Sequence, residues 1–82
     1  MSDKTLLAVL SAKQDGNIKF ADLRTLLMQL NFNERIKGDH FIYKIKNLPE
    51  RINIQPDGSM AKAYQVRQIR SVIQKYNLGG KS

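Results

Sequence analysis

Among the residues of this chain that could do chemistry, the single histidine, His40, is the one able to move a proton near neutral pH. It lies in Lys37-Gly38-Asp39-His40-Phe41-Ile42-Tyr43, just after turn residues and at the start of an apolar alternation. An ordinary imidazole, with a pKa of about 6.5, accepts a proton at cellular pH. Lys37, Lys44 and Arg51 stand close by in sequence. Cations around a proton-transfer group hold negative charge as it develops, which suits a polyanionic substrate. Whether His40 gives or takes the proton is open, and Lys37 or Tyr43 is a candidate for a second proton-transfer group. No His-Glu-x-x-His or similar ligand pair occurs, so neither a metal site nor a cofactor is expected.

Composition narrows the setting. A chain of 82 residues makes one domain with a modest core. At this size a folded protein buries roughly 60% of the surface its unfolded chain exposes, so a shallow site on a face is expected rather than a deep cleft. Cysteine is absent, which excludes a disulfide framework, thiolate metal sites and cysteine nucleophiles. No stretch approaches the roughly 18 apolar residues of a membrane span, and Met1-Ser2-Asp3-Lys4 lacks the layout of an export signal. A cytoplasmic protein with no membrane partner is the expectation.

The formal charge of +7 is distributed unevenly, because Asp57 is the last acidic residue and Lys62, Arg67, Arg70, Lys75 and Lys81 follow it. This excess is either a solvated surface or a face for phosphate or an acidic partner. Arg67 and Arg70 are neighbours three apart on a helix, and both readings apply to them.

Periodicity supplies the elements that would position these groups. Asp3 to about Lys13 reads as a short helix with Leu6, Leu7 and Leu10 on one side and Asp3 as its N-cap. Gln14-Asp15-Gly16-Asn17 ends it, and residues 1–16 form an N-terminal helix and turn ahead of the main domain at 17–78. A second helix from about Phe20 to Leu30 carries the stripe Phe20, Leu23, Leu27 and Leu30. Asn31 follows it as a left-handed cap, with Phe32 folding back onto the helix end. Asn33 to Lys37 and His40 to Ile45 flank Gly38-Asp39, a two-residue link suited to a tight hairpin. Arg51 to Gln55 is a third strand.

Alternation places Phe41, Tyr43, Ile45, Ile52 and Ile54 on a packed face. His40, Ile42, Lys44, Arg51, Asn53 and Gln55 then share the other. Pro56-Asp57-Gly58-Ser59 reads as a turn. The final helix, from about Ala61 to Tyr76, buries Val66, Ile69, Ile73 and Tyr76, with Gln65, Arg67, Gln68 and Arg70 on its remaining surface. Tyr64 is expected to pack over the sheet rather than stack a base. The tail at 79–82 is expected to be disordered. The sum is an α+β fold with a three-stranded antiparallel sheet packed on helices.

Several of these pieces, taken in order, resemble the HicA toxins of bacterial and archaeal toxin–antitoxin modules. A helix ends in Leu30-Asn31-Phe32, where the family has leucine-glycine-phenylalanine. Gly38-Asp39-His40 followed by Phe41-Ile42-Tyr43 stands for its glycine-serine-histidine and apolar strand. Ile52-Asn53-Ile54-Gln55-Pro56 and the helix Tyr64-Gln65-Val66-Arg67-Gln68-Ile69 complete the set. The resemblance spans about Ile18 to Leu78, and the first helix is an addition to the family's minimal domain.

The resemblance implies a fold like a double-stranded-RNA-binding domain and cleavage of messenger RNA without a ribosome. It also implies a HicB antitoxin as the partner that covers the active face. His40 would be the proton-transfer residue, and by their charge Lys37, Lys44, Arg51, Arg67 and Arg70 are the candidate RNA-binding residues. The chain departs from the family where Asp39 replaces a small neutral serine, since a carboxylate there repels phosphate. That departure keeps open a second reading, a binding module for RNA or DNA without catalysis. A third is an adaptor whose basic face meets an acidic protein.

Overall fold

The order of elements follows from where the apolar residues fall and what ends each run. The computed structural model describes residues 3–78. The side chain of Asp3 and the tail at 79–82, assigned above to a cap and to disorder, lie outside the described residues. Helix α1 spans Asp3–Ser11 and α2 spans Phe20–Gln29. Strands β1 (Asn33–Lys37), β2 (His40–Lys44) and β3 (Ile52–Ile54) follow. A two-residue pair, β4 (Pro56–Asp57) and β5 (Met60–Ala61), precedes helix α3 (Ala63–Tyr76).

β1, β2 and β3 form one antiparallel sheet in that order, and β4 and β5 form a separate two-stranded ribbon. The ribbon stands where the sequence indicates only a turn. Its strands are too short to show alternation, and long-range backbone bonds hold it: Phe20 N–H to Ser59 C=O at 3.0 Å and Ala61 N–H to Ile18 C=O at 2.8 Å.

Two asparagines end helices in the way asparagine best tolerates. Asn31 adopts φ 76° and Asn77 φ 54°. At α2 the N–H of Phe32 reaches Leu27 C=O at 3.1 Å and that of Asn31 reaches Met28 C=O at 3.0 Å, the paired bonds of a Schellman cap. Phe32 is thereby folded into the core. At α3 Leu78 N–H bonds to Ile73 C=O at 2.9 Å.

One core lies between the sheet and the three helices. Tyr43, Ile52 and Ile54 from the sheet meet Leu23, Leu26, Leu27, Val66, Ile69, Val72 and Ile73 from α2 and α3. Val9 of α1 is fully buried in the same cluster, whereas Leu7, expected to face inward, is 66% exposed. A helix this short does not fix its own buried face, and packing against α2 and α3 selects Val9. The expected stripes also omitted Leu26 and Val72, both buried. Tyr64 is exposed rather than packed over the sheet.

Two ion pairs fasten the periphery. Arg70 makes a two-pronged contact with Asp15 at 2.8 and 3.2 Å and also donates to Val9 C=O at 3.0 Å, tying α3 to α1 and the turn after it. That contact holds the Asp15 carboxyl below the usual range. Arg24 of α2 grips Glu34 of β1 at 2.8 and 3.0 Å, and its guanidinium lies 4.8 Å from the Phe41 ring centre. No helix among the described residues is long and apolar enough to cross a membrane.

Candidate active site on the open face of the sheet

The hairpin that carries His40 is built from its turn outward. Gly38 takes φ 62° and Asp39 does not share that region, the pattern of a tight two-residue link with glycine first. The link fixes the register Lys37↔His40, Arg35↔Ile42 and Asn33↔Lys44. Residues paired in this way share a face, and β3 adds Asn53 opposite Ile42. With every second residue facing outward, the open face of the sheet therefore carries Lys37, His40 and Gln55 in one row. Arg35, Ile42 and Asn53 form the next, and Asn33, Lys44 and Arg51 the third. Helices α2 and α3 lie on the opposite face, with α1 packed against them.

His40 is half exposed, with 50% of its side chain accessible. Its Nδ1 lies 3.3 Å from Asn53 Oδ1 and its Nε2 lies 3.5 Å from Gln55 Nε2. Gln55 Nε2 also donates to Asp39 Oδ2 at 3.3 Å, and Asp39 Oδ1 stands 3.9 Å from His40 Nε2. The imidazole is thus held on both nitrogens and open to solvent above.

Beside it runs a shallow groove of about 810 Å³, with Arg35, Lys37, Lys44 and Arg51 around Ile42. None of these four cations has a hydrogen-bond or ion-pair partner among the described residues. The carboxylate on the groove wall, Glu34, is already ion-paired with Arg24 and accepts a hydrogen bond from the Tyr43 hydroxyl at 2.5 Å. Its pKa is held down by Arg24 first and by Tyr43 after burial is counted against it. The face is therefore a surface of unspent positive charge beside an exposed imidazole, an arrangement of groups suited to a phosphate-bearing ligand and to proton transfer.

The residues expected from sequence separate into two groups. His40, Lys37, Lys44 and Arg51 come together on this face. Arg67 and Arg70 do not, because α3 lies behind the sheet. Arg70 is committed to Asp15 and Val9, so the expectation that it contacts RNA gives way to a structural role set by that carboxylate. Arg67 is exposed on the same helix and adds to the field that lowers the Asp15 pKa.

Tyr43 is also corrected as a second proton-transfer group. Its side chain is fully buried on the packed face, and burial followed by the Glu34 contact pushes its pKa well up. Sequence reasoning missed Arg35 as a site residue, although β1 alternates and the Gly38-Asp39 link sets the register that places it here.

Among the described residues no three or more His, Asp or Glu side chains converge as a metal site. Compared with known proteins, the chain matches no family model, no curated protein and no solved structure.

Proposed function

We propose that the protein is the toxin component of a HicA–HicB-type toxin–antitoxin module, a cytoplasmic, metal-independent ribonuclease that cleaves messenger RNA. The observation that carries this reading is the exposed His40 imidazole paired across the hairpin with Lys37, one of four unpartnered cations that line the groove. The order α2–β1–β2–β3–α3 supports a likeness to double-stranded-RNA-binding domains, with α1 as an addition.

In this reading, phosphates lie along Arg35, Lys37, Lys44 and Arg51. His40 takes the proton from a ribose 2′-hydroxyl, and the resulting 2′-oxygen attacks the adjacent phosphorus. The P–O5′ bond breaks, the 5′-oxygen takes up a proton, and a 2′,3′-cyclic phosphate remains. Lys37, directly across the hairpin from His40, stabilises charge on the phosphorane. A HicB-like antitoxin inhibits by covering the same face.

The test is incubation of a defined RNA with the wild type and with His40→Ala, each with and without EDTA. Cleavage by the wild type that persists in EDTA and disappears with His40→Ala is the expected result. Cleavage by a folded His40→Ala protein at the wild-type rate removes His40 from the mechanism, and loss of wild-type cleavage in EDTA removes metal independence.

A second reading has its own observation. Asp39 places a largely exposed carboxylate 3.9 Å from His40 Nε2, where an incoming phosphate is repelled. A non-catalytic RNA- or DNA-binding module would bind in a salt-sensitive way with no strand scission and little response to His40→Ala.

A further inference from the structure

Gln65 of α3 is the one buried polar side chain among the described residues, at 1% exposure, where the sequence had placed it on the helix surface. With its amide oriented so that oxygen meets donor, Oε1 accepts from Gln55 N–H and Nε2 donates to Gln55 C=O, each at 3.0 Å. Gln55 sits between β3 and β4, and Pro56 after it has no N–H to extend a ladder. The Gln65 amide thus does what a neighbouring strand would do, and it satisfies both backbone groups of Gln55 from beneath.

The Gln55 side chain projects to the open face, where its Nε2 approaches His40 Nε2 at 3.5 Å and Asp39 Oδ2 at 3.3 Å. An amide nitrogen only donates, so the imidazole nitrogen that faces it presents a lone pair. The ring proton then resides on Nδ1, where Asn53 Oδ1 accepts it at 3.3 Å. Free neutral histidine favours the opposite tautomer. Holding the Nδ1–H form therefore requires both side chains, and the position of one of them depends on Gln65.

We infer that Gln65 is a positioning residue for this site: by clasping the backbone of Gln55 it sets the side chain that, with Asn53, holds His40 as the Nδ1–H tautomer, leaving the lone pair on Nε2 for a substrate hydroxyl that takes the place of the Gln55 amide there. The catalytic consequence rests on the ribonuclease reading, whereas the tautomer does not. Gln65 itself touches neither His40 nor substrate.

The single histidine makes the experiment clean. The ¹⁵N chemical shifts of His40 are measured at a pH where the ring is neutral, in the wild type, Gln55→Ala and Gln65→Met. The wild type is expected to show a protonated-type Nδ1 and a lone-pair-type Nε2, and both variants to move toward the Nε2–H form. Where the protein cleaves RNA, kcat falls about tenfold or more with KM little changed.

Hydrogen exchange at Gln55 N–H in the wild type provides a second measurement that needs no variant. Protection like that of the β2–β3 ladder supports the clasp. Exchange as fast as in the turn at 57–59, or a tautomer that neither variant shifts, overturns the inference. The expected tautomer in a wild type that cuts no RNA supports the positioning role and sinks the ribonuclease reading alone.

Discussion

Lys37 and His40 face each other across a link of only two residues, so the ammonium and the imidazole share one row of the sheet. In the ribonuclease reading the lysine acts on the charge that develops at phosphorus, and it contributes more in the transition state than in the ground state. Lys37→Ala is expected to lower kcat by about ten- to a hundredfold, and Lys37→Arg to recover most of that because charge rather than shape is needed. Steady-state cleavage of a short RNA checks both. An unchanged kcat in Lys37→Ala places the electrostatic support elsewhere on the face.

Gly38 is where this geometry can be broken without touching a functional group. Its φ of 62° is strained for any residue with a Cβ, although no neighbouring atom would meet that Cβ. Gly38→Val is therefore expected to disturb the link rather than the core, costing about 1–2 kcal/mol of stability. It should reduce cleavage by more than that loss of stability explains. Denaturant unfolding beside kinetics at a temperature where the variant is folded separates the two effects.

Much of this face can be derived from the chain alone, because alternation in β2 and β3 and a two-residue link leave little freedom in register. Asn31 is also legible, since few residues other than glycine accept a left-handed φ at a helix end. What stays hidden depends on partners far away in sequence. Arg67 and Arg70 are equivalent as helix neighbours until Asp15 folds against one of them. Gln65 is a polar residue on an amphipathic helix until the strand end at Gln55 offers it two backbone partners. Alternation and the hairpin register set Tyr43 opposite Glu34, yet nothing local indicates that Arg24 arrives from α2 to hold that carboxylate in place.

That Tyr43–Glu34 contact carries a stability test with a definite sign. Glu34 has a folded pKa below its ordinary 4.5, so the unfolded chain takes up its proton first as pH falls. Its contribution is complete above about pH 4.5 and is lost as pH drops through the folded value. Asp15, held down by Arg70, and Glu50, held down by Lys75, act in the same direction. Tyr43 has a folded pKa raised above its ordinary 10.0, so stability declines again as pH rises past about 10. Thermal unfolding against pH should show a plateau between these limits. Tyr43→Phe removes a hydrogen bond to a carboxylate and is expected to cost about 1.5 kcal/mol, roughly 6–12 °C in Tm for a domain this small.

The charge on the open face and the charge on α3 are expected to separate in a salt titration. Four cations that neutralise phosphates of a single strand give a slope of log K against log salt of about −3, and each one removed lowers it by about 0.7. Arg35→Ala and Lys44→Ala should each weaken binding and flatten that slope. Arg70→Ala should leave the slope unchanged and instead lower Tm, because it releases Asp15 and the Val9 carbonyl and loosens α1 from α3. Fluorescence anisotropy at several salt concentrations, with thermal unfolding of the same variants, checks both halves. A flatter slope with unchanged Tm for Arg70→Ala would return that arginine to the nucleic-acid surface and leave the fold without the tie assigned to it.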